Sequence, residues 1–147
     1  GLGRAAGRRA RTVLMPAYML DTNICIYVMK TIPPAALRDK FDALAEELCI
    51  SVVTLAELRF GAEKSVRREK SLRALDDFAA NLEVLPFGDK AAIHYGQLRA
   101  ELERAGTPCG LHDTQIGAHA RSEGLIVVTN NRREFDRMPG LRVENWV

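Results

Sequence analysis

Residues 17–23 read Ala-Tyr-Met-Leu-Asp-Thr-Asn, and the end of this run decides the fold. Four residues, mostly apolar, stop at Asp21, and Thr22 and Asn23 follow, so three successive side chains can cap a helix with their oxygens. A short apolar strand that runs straight into a capped helix is the opening unit of a parallel α/β sheet. Three more short runs have the same character: Leu48-Cys-Ile-Ser51, Glu83-Val-Leu-Pro86 and Leu125-Ile-Val-Val-Thr129. Helical periods lie between them. Pro33-Pro34 can open a helix running to about Glu47, and Leu72, Leu75, Phe78 and Leu82 form a stripe. Ala91, Tyr95, Leu98, Leu102 and Ala105 form another, before Gly106-Thr-Pro108 stops it. Parallel neighbours need crossover helices, so this order predicts an α/β sandwich with a mostly parallel central sheet.

A chain of 147 residues, 47% of them apolar, suits one domain. Its apolar runs are far shorter than the ~20 residues of a membrane-spanning helix. The formal charge of +2 is misleading, because Arg4, Arg8, Arg9 and Arg11 precede Met15 and leave residues 15–147 with 17 bases against 19 acids. Residues 1–14 have no hydrophobic period and none of the apolar core of a secretory signal; they are expected to be a disordered or non-native extension, with the domain in residues 15–147. Cys25, Cys49 and Cys109 are odd in number and lack CxxC spacing. They read as reduced, mostly buried thiols, and with no signal peptide expected the location would be cytoplasmic.

Ligands of such sheets bind at the carboxyl edge, where strands give way to helices. Asp21 ends the first strand, although an N-cap role alone would also account for it. Glu57 is the only acid between Ser51 and Ala62, and helical spacing puts Val53, Ala56 and Phe60 on its side. Asp113 opens a helix after the turn Pro108-Cys-Gly-Leu-His112, above Ile116, Gly117 and Ala120, and a cap is again the simpler reading. Glu134 follows the last apolar run through Thr129-Asn130-Asn131 and taken alone is a loop acid. Together, four segments each place a carboxylate where an element begins, which suggests one acidic pocket. Crowded carboxylates repel unless a cation sits among them. Oxygen-only donors favour Mg²⁺ or Mn²⁺ over zinc, for which His94, His112 and His119 have no suitable spacing. A carboxylate-held metal that activates water suits phosphodiester hydrolysis. GxGxxG, GxxxxGK[ST] and GxSxG are all absent, and a phospho-aspartate chemistry at Asp21 lacks a second acid two residues on.

Four segments also resemble a known family in the right order: MLDTN at 19–23, SVVTLAELRFGA at 51–62, HDTQIGAHA at 112–120 and VTNNRREFDRMPGLRVENW at 128–146. They resemble the VapC toxins, PIN-domain ribonucleases of VapBC toxin-antitoxin systems, from Met15 to Val147. The resemblance implies a PIN-like three-layer α/β/α sandwich and a Mg²⁺-dependent endoribonuclease that inhibits translation. Asp21, Glu57, Asp113 and Glu134 would be its metal-binding and catalytic acids, with Thr22, Asn23, Ser51, Thr129 and Asn131 as supporting polar groups. It further implies a homodimer and a VapB-type antitoxin whose C-terminal segment covers the pocket. The nearest look-alikes suggest cleavage of initiator tRNA in its anticodon region.

Two positions depart from the pattern. His112 stands where many relatives have Asn or another small polar residue, and Asn131 where some have a further Asp, which removes a ligand for a second tightly held ion. Asp89 and Arg99 also look familial, although a helix cap and a surface charge explain them equally. Arg59, Lys64, Arg67, Arg68, Arg132 and Arg133 are the candidate RNA contacts, because phosphates require cations beside an acidic pocket; a solvated charged face is the plainer reading. The alternative in a different class is a catalytically inert PIN-like module that only binds RNA or a partner.

Overall fold

The short apolar runs pair side by side in a five-stranded sheet, in the computed structural model that describes residues 16–30 and 32–147. The extension expected at residues 1–14 lies outside the described residues. The strands are β1 (Tyr18–Leu20), β2 (Leu48–Ser51), β3 (Glu83–Leu85), β4 (Ile126–Val128) and β5 (Arg142–Glu144). Their spatial order is β3-β2-β1-β4-β5, and every neighbouring pair is parallel. Seven α-helices connect them among the described residues: α1 (Thr22–Met29), α2 (Ala35–Ala43), α3 (Val52–Glu63), α4 (Arg68–Ala80), α5 (Asp89–Arg104), α6 (Leu111–Glu123) and α7 (Arg132–Phe135).

Two separate cores make the three layers. Side chains alternate across a strand, so Leu20, Leu48, Ile50 and Val128 face one side of the sheet, and Met19, Cys49 and Val127 face the other. The first set packs against Ile24 and Val28 of α1, Leu37 of α2, Leu58 of α3 and Leu75 of α4. The second packs against Leu98 and Leu102 of α5, Ile116 and Ala120 of α6, and Phe135 of α7. The three-layer sandwich expected from the sequence is therefore present. No helix among the described residues is long and apolar enough to cross a membrane. Cys25 and Cys49 are buried free thiols and Cys109 is half-buried; burial pushes the Cys49 thiol up to about 12.

Some boundaries differ from expectation. The helix opened by Pro33-Pro34 ends at Ala43, and a 3₁₀ turn over Ala45–Glu47 leads into β2. Strand β5 was not anticipated: Arg142-Val143-Glu144 offers one apolar residue between two charges, and pairing with β4 at the sheet edge organises it. Helix α7 was likewise unexpected, four residues long and anchored by the fully buried Phe135.

Two helical glycines separate packing from propensity. A methyl group on Gly117 of α6 would run into the Met138 sulfur, with Leu141 at 3.4 Å, whereas one on Gly61 of α3 would meet nothing within 4 Å. Gly117→Ala should therefore lower stability in urea unfolding by roughly 1–3 kcal/mol. Gly61→Ala should raise it by up to about 1 kcal/mol. The same sign for both variants would contradict the packing of α6 against the Met138 segment.

Candidate active site

From β1 the chain builds β2 and β3 on one flank, then returns to place β4 on the other. Such a reversal opens a crevice at the carboxyl ends of the two central strands, and Asp21 and Thr129 directly follow β1 and β4. Asp21 is 2% exposed. Its carboxylate accepts from the Ile24 N–H at 2.9 Å, capping α1, while its own N–H donates to Val128 at 3.0 Å. Cap and pocket acid are thus one residue with both roles. Burial raises its pKa and the nearby Glu57 charge adds to that; the Thr129 hydroxyl and the Ile24 amide work the other way.

Asp113 lies in the first turn of α6, which is capped by Gly110. The cap role considered for Asp113 is therefore not its role. It shares a hydrogen bond with Glu134, and the Asn131 amide reaches Oδ2 of Asp113 and Oε2 of Glu134, each at 3.4 Å. Glu134 belongs to α7 and not to a loop, and its Oε1 accepts from the Gly110 N–H at 3.2 Å. The pair divides its charge unequally. Burial pushes Asp113 up to about 8, reinforced by the hydrogen bond to Glu134 and by the charges of Glu134, Asp21 and Glu57. Glu134 is held below its ordinary value, first by the hydrogen bond from Asp113 and further by the Gly110 amide and the Arg137 guanidinium. The pair is thus pushed apart, Asp113 upward and Glu134 downward.

Glu57 completes the group from α3. The Thr22 hydroxyl donates to its Oε1 at 2.8 Å, and Nδ1 of His112 lies 2.7 Å from Oε2. Of the apolar neighbours on its helix face, only Val53 packs against a core. Ala56 and Phe60 are exposed, and with Val53 they line an open groove beside Glu57. The same spacing marks the groove face of α3, because Leu58, Thr54 and Ala62 take the buried side.

The remaining predicted residues divide. Thr22, Thr129 and Asn131 touch the acids, as above; Thr129 also accepts from the Asn131 N–H at 2.8 Å. Asn23 is exposed on the groove. Ser51 does not reach the acids: it caps α3 by accepting from Val53 and is bonded to the buried His119 ring at 2.8 Å. Of the six basic candidates, Arg59, Arg68 and Arg132 are ion-paired with Asp76, Glu63 and Asp136, at 2.7, 2.6 and 3.3 Å. Arg67 and Arg133 make no ion pair among the described residues, and Lys64 lies over the Phe60 ring. Asp89 starts α5 behind the cap residue Gly88, and Arg99 is a surface group bonded to Tyr95 and Glu103. Sequence reasoning missed the Gly110 amide and Arg137 as partners of Glu134. It flagged His112 only as a departure, without its bond to Glu57.

No three His, Cys, Asp or Glu side chains among the described residues close around one point as they stand. Glu57 and Glu134 are each engaged by the hydrogen bonds just described. The donor set is nevertheless all oxygen, and burial together with the charges of Glu134, Asp21 and Glu57 raises the Asp113 pKa, an environment that a hard divalent cation relieves.

The protonation pattern fixes a sign for stability against pH. Asp113 titrates higher in the folded than in the unfolded chain, so its contribution is complete below about pH 4 and is lost as pH rises towards 8. Glu134 titrates lower when folded, so its contribution is lost only as the solution turns acidic. In metal-free protein, Asp113→Asn should remove the first loss and stabilise the fold at pH 8.5 relative to wild type by roughly 1–3 kcal/mol, one or two pKa units of relieved repulsion. Denaturant unfolding at pH 5 and 8.5 measures this. A variant less stable than wild type at pH 8.5 would contradict the crowding of these carboxylates.

The chain as a whole is similar to known proteins. A model of the PIN domain matches residues 18–141. The tRNA(fMet)-specific endonuclease VapC of Salmonella typhimurium is 51% identical over 132 residues, covering 90% of this chain and 99% of that protein. Ribonuclease VapC2 of Haemophilus influenzae is 49% identical, covering 90% and 100%. Among solved structures, the DNA-bound VapBC of Salmonella typhimurium superposes with a TM-score of 0.87 at 50% identity, covering 90% of this chain and all of that one. The chain belongs to the PIN-domain family, among the VapC ribonucleases.

Proposed function

We propose that this chain is a metal-dependent endoribonuclease toxin of a VapBC-type module, acting in the cytoplasm on RNA and thereby inhibiting translation. Initiator tRNA, cut in the anticodon region, is the substrate proposed on the strength of the Salmonella relative's name. One observation carries the reading: the Asn131 amide lies 3.4 Å from both Asp113 and Glu134, and Thr22, next to the buried Asp21, donates to Glu57, so acids from four segments stand at one edge of the sheet. A structural role gives no reason to assemble four acids this way, whereas a nuclease site requires it.

Asp21, Asp113, Glu57 and Glu134 would hold Mg²⁺, or Mn²⁺, and the bound ion would lower the pKa of a water and screen charge on the phosphate. The chain's own contribution is orientation. The Ile24 amide and Thr129 hold Asp21, Asn131 spans Asp113 and Glu134, and Thr22 with His112 fixes Glu57. Because the Asp113 pKa is raised, its carboxylate would be more available to a cation at higher pH, so metal binding should strengthen as pH rises. The proposed partners, a second copy of the chain and a VapB-type antitoxin, rest on the family; the charge adds only the mechanism, an antitoxin arginine that would pair bidentately with the carboxylates in place of the ion.

The test is purified protein incubated with total RNA and with initiator tRNA, with and without Mg²⁺, followed by mapping of the cut ends. Cleavage should need the metal, and Asp21→Asn should slow it by roughly 10²–10³-fold, the usual loss on removing one preorganised charge-stabilising group, while the protein stays folded. Cleavage undiminished by EDTA, or a variant at wild-type rate, rejects the proposal and leaves an inert binding module. In the same assay, antitoxin inhibition should weaken as Mg²⁺ rises. Equal inhibition at every Mg²⁺ concentration contradicts an arginine competing for the acids.

A further inference from the structure

The groove beside Glu57 is more than an approach to the acids. It runs between the start of α1, the outer face of α3 and the start of α6, and is lined by Asn23, Ile26, Phe60, Lys64, His112 and Gln115. Phe60 is 66% exposed, a large aromatic area left in water one helical turn from Glu57. The Lys64 ammonium lies 5.0 Å from its ring centroid. Next to the ring, Gly61 keeps that stretch of the wall free of any side chain, and nothing lies within 4 Å of where a Cβ would be. His112 is anchored by Glu57 while its side chain stays 60% exposed.

We propose that Phe60 is the stacking platform for an unpaired nucleobase of the RNA, next to the scissile phosphate, with Lys64 neutralising a neighbouring phosphate. This deepens the ribonuclease reading and rests on it. Three features select a base over other occupants. The groove is continuous with the acids, since Glu57 and Thr22 line it too. An exposed aromatic ring with a mobile-tipped lysine over it brings together the two groups that match the alternation of bases and phosphates along a single strand. The Asn23 and Gln115 amides each offer donors and an acceptor, the complement a base edge needs. A second groove shares Thr22, Ile26, Glu57 and Gly61 with the first and continues past Met29, Leu58, Ala74 and Leu75, with no basic residue. The cation and the side-chain amides, Lys64, Asn23 and Gln115, belong to the Phe60 groove alone.

The experiment is fluorescence-anisotropy binding of a labelled single-stranded RNA octamer, in Mg²⁺, to the full chain carrying Asp21→Asn so that the probe survives. An octamer of the same backbone with abasic riboses serves as the comparison. Phe60→Ala should weaken binding of the base-bearing strand roughly tenfold, within the range measured for loss of one base–aromatic stack, and leave the abasic strand unchanged. Phe60→Trp should retain the affinity and Phe60→Leu should lose it. Because the ring is exposed, all three variants should melt as the parent does. Equal loss on both strands, or full affinity with Phe60→Leu, overturns the stacking platform. Unchanged RNA binding together with weakened antitoxin binding overturns it in favour of a protein contact. Wild-type cleavage of total RNA, measured in parallel, keeps the two proposals apart: no cleavage rejects the ribonuclease reading, whereas cleavage with base-independent binding rejects only the platform.

Discussion

Repulsion among carboxylates that four chain segments bring to one crevice is the constraint around which this molecule is arranged. Each acid is stabilised locally by something that costs the fold little. Asp21 takes a helix-capping amide and a hydroxyl, and Glu134 the N–H of Gly110. Asp113 is bridged to Glu134 by the Asn131 amide, and Glu57 takes a hydroxyl and an imidazole. Several of these partners are themselves at element starts, where backbone N–H groups lack intrahelical acceptors and favour negative charge. The parallel sheet makes this possible, because every strand delivers its successor helix to the same edge.

The arrangement explains why a stable fold carries an electrostatically unfavourable centre. Two apolar cores, one on each face of the sheet, fix β1 and β4 without help from the acids. The buried Ser51–His119 bond ties α6 to the cap of α3 and so sets the two helices that carry Asp113 and Glu57 relative to each other. Function of this kind routinely costs stability. Here the cost falls on residues whose replacement leaves both cores intact.

The sandwich and the four acids were legible in the sequence for physical reasons. Buried parallel strands are short and apolar, and a carboxylate at the end of one stands out against them, as Asp21 does. Less legible was anything set by tertiary pairing. Strand β5 carries charges on either side of Val143 and is organised by its neighbour, and α7 is too short to show a period. The apolar face around Glu57 was recognised, but its exposure was not, because helical spacing says which residues share a face and not what covers it. Basic residues were counted as free cations, yet Arg59, Arg68 and Arg132 are held by acids on neighbouring turns or helices. His112 stood out as an unusual residue, but its bond to Glu57 spans 55 positions and no local pattern announces it.

The central claim is that the four acids form one metal site. Anomalous diffraction from crystals of the chain soaked in Mn²⁺ tests it most directly, because the ion reports its own position. The account predicts a peak in the crevice at the ends of β1 and β4, roughly 2.0–2.2 Å from carboxylate oxygens of Asp21 and Asp113, with Glu57 or Glu134 directly or through water in its shell. Ordered Mn²⁺ bound only elsewhere, with Asp21 and Asp113 free of it in a well-resolved crevice, would contradict it.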